Sequence, residues 1–213
     1  MIRAVLFDLD GTLCDTEAYV LNAFNCALAS QGLKKASVKT IAHYAGWPLH
    51  KVLKRVTGKK NVDKLVELYF IYQNKHPDLI FSYSGVKRVL MQLTKKKIKL
   101  AVVTGSYRTS AHNKLSAAGI AKYFHVIVAG DDDNDSKPSP APYLRAAKLL
   151  GVKPSECLVV GDGASDMESG KRAGCVVARA MYGYGSREPT RYKPDFKVNS
   201  IKEIVKVVQT TFI

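Results

Sequence analysis

Acidic side chains are scarce in this chain of 213 residues. Eighteen Asp and Glu stand against 33 Lys and Arg, a formal charge of +15. That excess asks for an anionic partner, either nucleic acid or a small anionic substrate, and the arithmetic alone leaves both open. Long apolar runs are also missing. None approaches the roughly 20 residues that span a bilayer. The stretch Met1-Ile2-Arg3-Ala4-Val5-Leu6-Phe7-Asp8 meets charge too early to hold a secretory leader's apolar segment. A cytoplasmic protein without a membrane partner is therefore expected. Cysteine is sparse, and Cys14, Cys26, Cys157 and Cys175 form no close pair and no metal-type spacing. Reduced, mostly buried thiols are expected. There is no internal repeat and no low-complexity tract, and Lys95-Lys96-Lys97 is the one long run of positive charge. It reads as a solvated helix end, where positive charge complements the helix dipole. No helix-turn-helix pattern, zinc spacing or aromatic RNA-binding signature accompanies the positive charge, so no nucleic-acid partner is expected.

What is present is an ordinary globular composition, 46% hydrophobic and 24% charged, which excludes a disordered, collagen-like or disulfide-stapled chain. Short apolar runs at 4–7, 100–104, 126–129, 158–161 and 175–178 read as buried strands, with a weaker extended segment at 195–198. Helical spacing fills 86–93, 110–118, 141–150, 165–173 and 201–208. Strands alternating with helices predict an α/β fold, a parallel-sheet core sandwiched by helices. One stretch breaks the alternation. Residues 16–82 carry helical patterns at 18–29, 38–45, 49–56 and 62–73 but no clear strand, which is too long for a loop. An inserted helical subdomain is expected there, with 1–15 and 83–213 forming the α/β core. Asp15-Thr16-Glu17 and Ser82-Tyr83-Ser84-Gly85 mark its edges.

Four polar clusters fall at the ends of expected strands, and in an open parallel sheet such ends converge on a ligand crevice. The first is Asp8-Leu9-Asp10-Gly11-Thr12. Residues two apart on a strand point the same way, so Asp8 and Asp10 can share a site if the chain stays extended. Two close carboxylates stay ionised only beside a cation or hydrogen-bond donors, and hard cations such as Mg²⁺ take oxygen ligands. The second, Thr104-Gly105-Ser106, suits an anionic oxygen at a helix entry but is also ordinary turn chemistry. The third, Ser136-Lys137-Pro138-Ser139-Pro140, offers a fixed positive charge in a stiffened loop. Asp131-Asp132-Asp133 nearby reads as a solvated acidic loop. The fourth, Gly161-Asp162-Gly163-Ala164-Ser165-Asp166, puts Asp162 at a strand end and Asp166 in a helix's first turn, where it can simply complement the dipole.

In this order and context the four clusters resemble the haloacid dehalogenase-like hydrolase superfamily, whose core is Rossmann-like, and the resemblance covers essentially the whole chain. Phe7-Asp8-Leu9-Asp10-Gly11-Thr12-Leu13, Tyr44-Ala45-Gly46-Trp47-Pro48, Tyr182-Gly183-Tyr184-Gly185 and Pro194-Asp195-Phe196 are similar to its phosphoglycolate phosphatase-like branch. The insert then looks like that family's small helical cap. The resemblance implies a Mg²⁺-dependent phosphatase acting on a small phosphorylated metabolite, phosphoglycolate-like in one reading. A sugar phosphomutase and a pyrophosphatase are the alternatives. It makes Asp8 the nucleophile that becomes an aspartyl phosphate, and Asp10 the general acid and base. Thr104, Gly105 and Lys137 would hold the phosphoryl group. Asp8, Asp162 and the Asp10 carbonyl would hold Mg²⁺, with Asp166 acting through water or a second layer.

Asp10 argues against dehalogenases and phosphonate hydrolases of the group, which lack that second carboxylate. The apolar Gly46-Trp47-Pro48-Leu49 stretch favours a phosphatase over a mutase, whose cap loop usually holds a second phosphate with polar side chains. Gly163-Ala164-Ser165 departs from the branch, which often has Ser after the Asp. Trp47 is the candidate for leaving-group contact, with cap packing as its plainer role. His43, His50, His76, His112 and His125 have no metal spacing, and Cys14 reads as a small buried side chain.

Overall fold

The computed structural model describes residues 1–44, 46–132 and 135–210. Strand β1 (Ala4–Phe7) is buried along its whole length. Its side chains alternate between two cores: Ala4 and Leu6 enter one, Val5 and Phe7 the other. Burial on both faces is why the strand reads as an unbroken apolar run rather than an alternating one. The same holds for its neighbours β4 (Lys99–Val103) and β6 (Cys157–Gly161). With β5 (Val126–Val128), β7 (Val176–Ala180) and β8 (Phe196–Val198) they form a parallel sheet in the order β5-β4-β1-β6-β7-β8. Helices α5 (Val86–Lys95), α6 (Arg108–Ala117) and α9 (Ile204–Thr210) cover one face, and α7 (Ala141–Leu150) and α8 (Ala164–Arg172) the other. The expected α/β fold is therefore present. From β1 the sheet runs to β4 and β5 on one side and to β6, β7 and β8 on the other. That reversal opens a crevice at the C-terminal end of β1.

Between β2 (Cys14–Asp15) and β3 (Phe81–Ser82) the chain forms α1 (Glu17–Ala29), α2 (Val38–His43), α3 (Leu49–Thr57) and α4 (Asp63–Lys75). Phe24, Leu28, Leu53 and Leu65 centre a third core there. Tyr184, which follows β7, packs into it. Strands β2 and β3 pair antiparallel, Cys14 opposite Ser82 and Asp15 opposite Phe81. Two-residue strands are too short to show alternation, which is why the sequence gives no sign of them. Among the described residues no helix is long and apolar enough to cross a membrane.

Several expectations change. Helix α2 ends at His43, short of the predicted 38–45, and Ala45 lies outside the described residues. The final helix is divided into a 3-10 turn (Ile201–Glu203), with the Ser200 side chain accepting from the Lys202 N–H, and then α9. Cys157 and Cys175, eighteen residues apart, are brought side by side by the parallel β6–β7 register, and the Cys157 thiol donates to the Lys153 carbonyl at 3.4 Å. Cys14, Cys157 and Cys175 are buried and Cys26 is exposed. The acidic loop is not simply solvated either. Asp132 takes a paired contact from Arg108 (Nε at 2.9 Å, Nη2 at 2.6 Å) and also accepts from the Ala129 N–H. Asp133 lies outside the described residues. Lys95, Lys96 and Lys97 are exposed, as a solvated helix end should be.

Candidate active site

Register brings the clusters together. Phe7 lies opposite Val102 and Val160, so Asp8, Thr104 and Asp162 each follow a strand end on the same edge. Asp8 is anchored there by its N–H, which donates to the Val160 carbonyl, and Thr104 by its N–H to the Val128 carbonyl. Lys137, from the loop between β5 and α7, reaches in with its Nζ 2.6 Å from Asp8 Oδ1 and 2.6 Å from Asp166 Oδ1. It also donates to the Val103 carbonyl at 3.1 Å. A lysine 2% exposed is not a solvated loop residue. Asp166 accepts additionally from the Tyr143 hydroxyl (2.8 Å) and the Gly163 N–H (3.1 Å). It thus caps α8 and fixes Lys137 at once, so the helix-end role and the site role coincide.

Oxygen atoms of Asp8, Asp162 and Asp166 lie within 4.8 Å of one another, all three residues buried. Burial pushes the Asp8 carboxyl up to about 7; Asp166 and Asp10 add to the rise and Lys137 opposes it. Burial, then Asp8 and Asp166, drives Asp162 well above the carboxylate range. Asp162 has the Gly185 N–H at 2.7 Å and the Thr12 hydroxyl at 3.5 Å as donors. Burial alone would lower Lys137, but Asp166 and Asp8 outweigh it and hold the ammonium charged. Three buried carboxylates face the Lys137 ammonium, with the Arg179 guanidinium beside Asp162 and Asp166, and remain short of positive charge. A donor set of hard anionic oxygens fits a divalent cation of the Mg²⁺ kind.

Asp10 lines the same cavity as Asp8 but has its own partners. Its oxygens accept from Thr16 Oγ1 (2.7 Å), Ser106 Oγ (2.7 Å) and Lys114 Nζ (2.6 Å). Burial works against ionisation here, yet Lys114 above all, with Ser106 and Thr16, holds Asp10 below its ordinary range. Lys114 is the functional neighbour that sequence reasoning missed. It sits on α6 in step with Ala111, Leu115 and Ala118, a buried stripe that no unpartnered lysine would occupy, and that spacing was the available signal. Ser106 belongs to a recognised cluster, but its bond to Asp10 was not foreseen.

Thr104 and Gly105 border the cavity beside Asp8, with the loop between α2 and α3 laid over them. A Cβ at Gly105 would run into the backbone carbonyls of Gly46 and Trp47. Gly46 itself has φ 85°, and a side chain there would meet Ser165 and the Lys137 stem. Trp47 lines the cavity and packs edge-on against Tyr44, so packing and cavity contact hold together. His50 bonds the Tyr107 hydroxyl at 3.1 Å, and His43 pairs with Glu188 at 3.3 Å.

Comparison with known proteins agrees with this geometry. Residues 5–180 match the haloacid dehalogenase-like hydrolase family. A phosphoglycolate phosphatase of Aquifex aeolicus (strain VF5) is 32% identical over 213 residues, 100% of this chain and 99% of that one. The pyrophosphatase PpaX of Halalkalibacterium halodurans is 34% identical over 211 residues, 97% of each chain. The crystal structure of a predicted phosphoglycolate phosphatase from Haemophilus somnus 129PT superposes with a TM-score of 0.84 at 26% identity, covering 98% of both chains. The match spans the sheet, its strand-end carboxylates and the helices between β2 and β3, and the chain belongs to the haloacid dehalogenase-like hydrolase family.

Proposed function

We propose that the protein is a Mg²⁺-dependent phosphatase that hydrolyses a small phosphomonoester through an aspartyl phosphate on Asp8. The observation that carries this reading is the pairing of Asp8 with the buried Lys137 at 2.6 Å, in one cavity with Asp10, Thr104 and Gly105. An Asp8 oxygen attacks phosphorus in line with the leaving alcohol, and the P–O bond to that alcohol breaks as the bond to Asp8 forms. Lys137 offsets the repulsion between carboxylate and phosphate, and Thr104 with the Gly105 N–H receives the phosphoryl oxygens. Asp10 gives the departing alkoxide its proton, then takes one from the water that attacks the aspartyl phosphate, releasing phosphate and regenerating Asp8. The proton that Asp10 gives is the one it took from water in the preceding turnover, and Lys114 favours the carboxylate, the form that accepts the proton in the second half of the cycle.

Asp8, Asp162 and the Asp10 carbonyl would hold Mg²⁺, with Asp166 supporting them; the ion, when bound, cancels charge between the two reacting anions. Residues 16–82 act as a cap over a core formed by 1–15 and 83–213, hinged where β2 pairs with β3, and closure excludes bulk water. Phosphate release from a panel of phosphate esters that includes phosphoglycolate, and from pyrophosphate, tests the reading. Release that needs Mg²⁺ and disappears in Asp8→Asn is expected. Turnover that survives Asp8→Asn contradicts it, and sugar-phosphate interconversion without free phosphate would make the protein a mutase.

A further inference from the structure

The cavity over Asp8 has a floor and a wall of opposite chemistry. The floor is the phosphate end just described. The wall comes mainly from the helices between β2 and β3 and from the residue before α6, and it is mostly carbon: Phe24, Ile41, Val52, Phe70 and the rings of Trp47 and Tyr107, with the neutral tyrosines Tyr44, Tyr69 and Tyr184 among them. Among the described residues that line the cavity, Asp8 and Asp10 are the only charged ones. The cations nearby are committed elsewhere. Lys137 bridges Asp8 and Asp166, Lys114 holds Asp10 and Ser106, and Lys51 reaches Ser136 Oγ at 3.1 Å. His50 meets the cavity only through the Tyr107 hydroxyl, and burial, with Lys51 and Lys54, lowers its pKa so that the ring is neutral at neutral pH. The inner polar groups are neutral too: Ser110 donates to Gln73 Oε1 at 2.9 Å, and Gln73 Nε2 donates to the Tyr69 hydroxyl at 2.7 Å.

A leaving group that carries a carboxylate or a second phosphate would bring an anion against this wall with no cation to receive it, close to two carboxylates already present. A buried charge without a partner is strongly disfavoured. We infer that the substrate is the phosphomonoester of a neutral, apolar alcohol rather than phosphoglycolate or pyrophosphate. The inference rests on the phosphatase reading and narrows it. Selection comes from the cap-side wall, while the floor handles a phosphoryl group common to all candidates.

The test is kcat/KM of the wild-type enzyme with Mg²⁺ for isoamyl phosphate, phosphoglycolate and pyrophosphate, alongside p-nitrophenyl phosphate as a general reporter. Isoamyl phosphate and phosphoglycolate both release a primary alcohol, so the wall rather than leaving-group reactivity dominates their ratio. Isoamyl phosphate is expected to exceed phosphoglycolate and pyrophosphate by at least about tenfold, the scale of discrimination that an apolar pocket provides. Phosphoglycolate or pyrophosphate turned over as well or better overturns the inference and leaves the phosphatase reading standing. No release from any of the four overturns both. In folded Phe70→Arg, which supplies the missing cation at a half-buried wall position, the ratio should move at least about tenfold toward phosphoglycolate. An unchanged ratio would mean that the wall does not select.

Discussion

Two lysines divide three of the site's four carboxylates between them, and Asp162 relies on the Gly185 N–H and the Thr12 hydroxyl. Lys137 serves Asp8 and Asp166, and Lys114 serves Asp10. Taking away one partner of a buried pair leaves the other charge uncompensated. Lys114→Met is therefore expected to cost on the order of 3 kcal/mol in urea unfolding and to slow turnover, whereas a solvated lysine would cost almost nothing. The raised Asp8 pKa has a definite sign. Folded Asp8 keeps its proton up to about 7, against an ordinary value of 3.8, so the metal-free fold binds more protons than the unfolded chain across that window. Metal-free stability then falls as pH rises from about 4 to about 7. A cation needs the ionised form, so Mg²⁺ binding releases protons and strengthens as pH climbs through the same window. Thermal unfolding about one pH unit below and one above 7 should show a larger Mg²⁺-induced rise in Tm at the higher pH. An equal or smaller rise there would contradict the assignment of Asp8 as a ligand.

At the scale of elements, β1 places Asp8 where the strand order reverses, and the loop between α2 and α3 lies against the turn after β4. Gly105 has no room for a methyl group beneath the Gly46 and Trp47 carbonyls. Gly105→Ala should displace that loop and lower kcat/KM by about a hundredfold, the cost of a small misplacement near the chemistry, with little change in Tm. A large loss of Tm with normal kcat/KM would mean that the contact serves packing alone. The strands and carboxylates were legible because doubly buried strands read as apolar runs that stop abruptly at Asp8, Thr104 and Asp162. What stayed hidden depended on contacts distant in sequence. Lys114 falls in the apolar stripe of α6, but its partner Asp10 lies 104 residues away in sequence and nothing local names it. Asp132 reads as loop acid until Arg108 is seen across from it. Cys157 and Cys175 become neighbours only through the parallel register of β6 and β7. The β2–β3 pair was missed for a different reason, being too short to carry any period.

For the whole molecule, the charge of +15 is spread rather than gathered. Residues 16–82 hold 10 basic and 4 acidic side chains, and the rest of the excess lies in the α/β part. A diffuse positive field steers anions toward the crevice without contacting them. It should appear as a kcat/KM that falls a few-fold as salt rises to about 0.5 M while kcat stays constant, since screening acts on encounter and not on buried contacts. A kcat that fell in parallel would point to salt acting within the site. The field attracts any phosphate ester, the more highly charged ones more strongly, so the proposed preference for an apolar leaving group has to come from the wall of the cavity.

The step on which the proposed mechanism turns is transfer of the phosphoryl group to Asp8. Rapid acid quench during turnover of a phosphate ester, followed by peptide mass spectrometry, measures this directly. A phosphoryl adduct on Asp8, present in the wild type with Mg²⁺ and absent from Asp8→Asn, is the predicted result. Steady phosphate release with Asp8 unmodified at every quench time, and retained by Asp8→Asn, would rule out an aspartyl phosphate on Asp8.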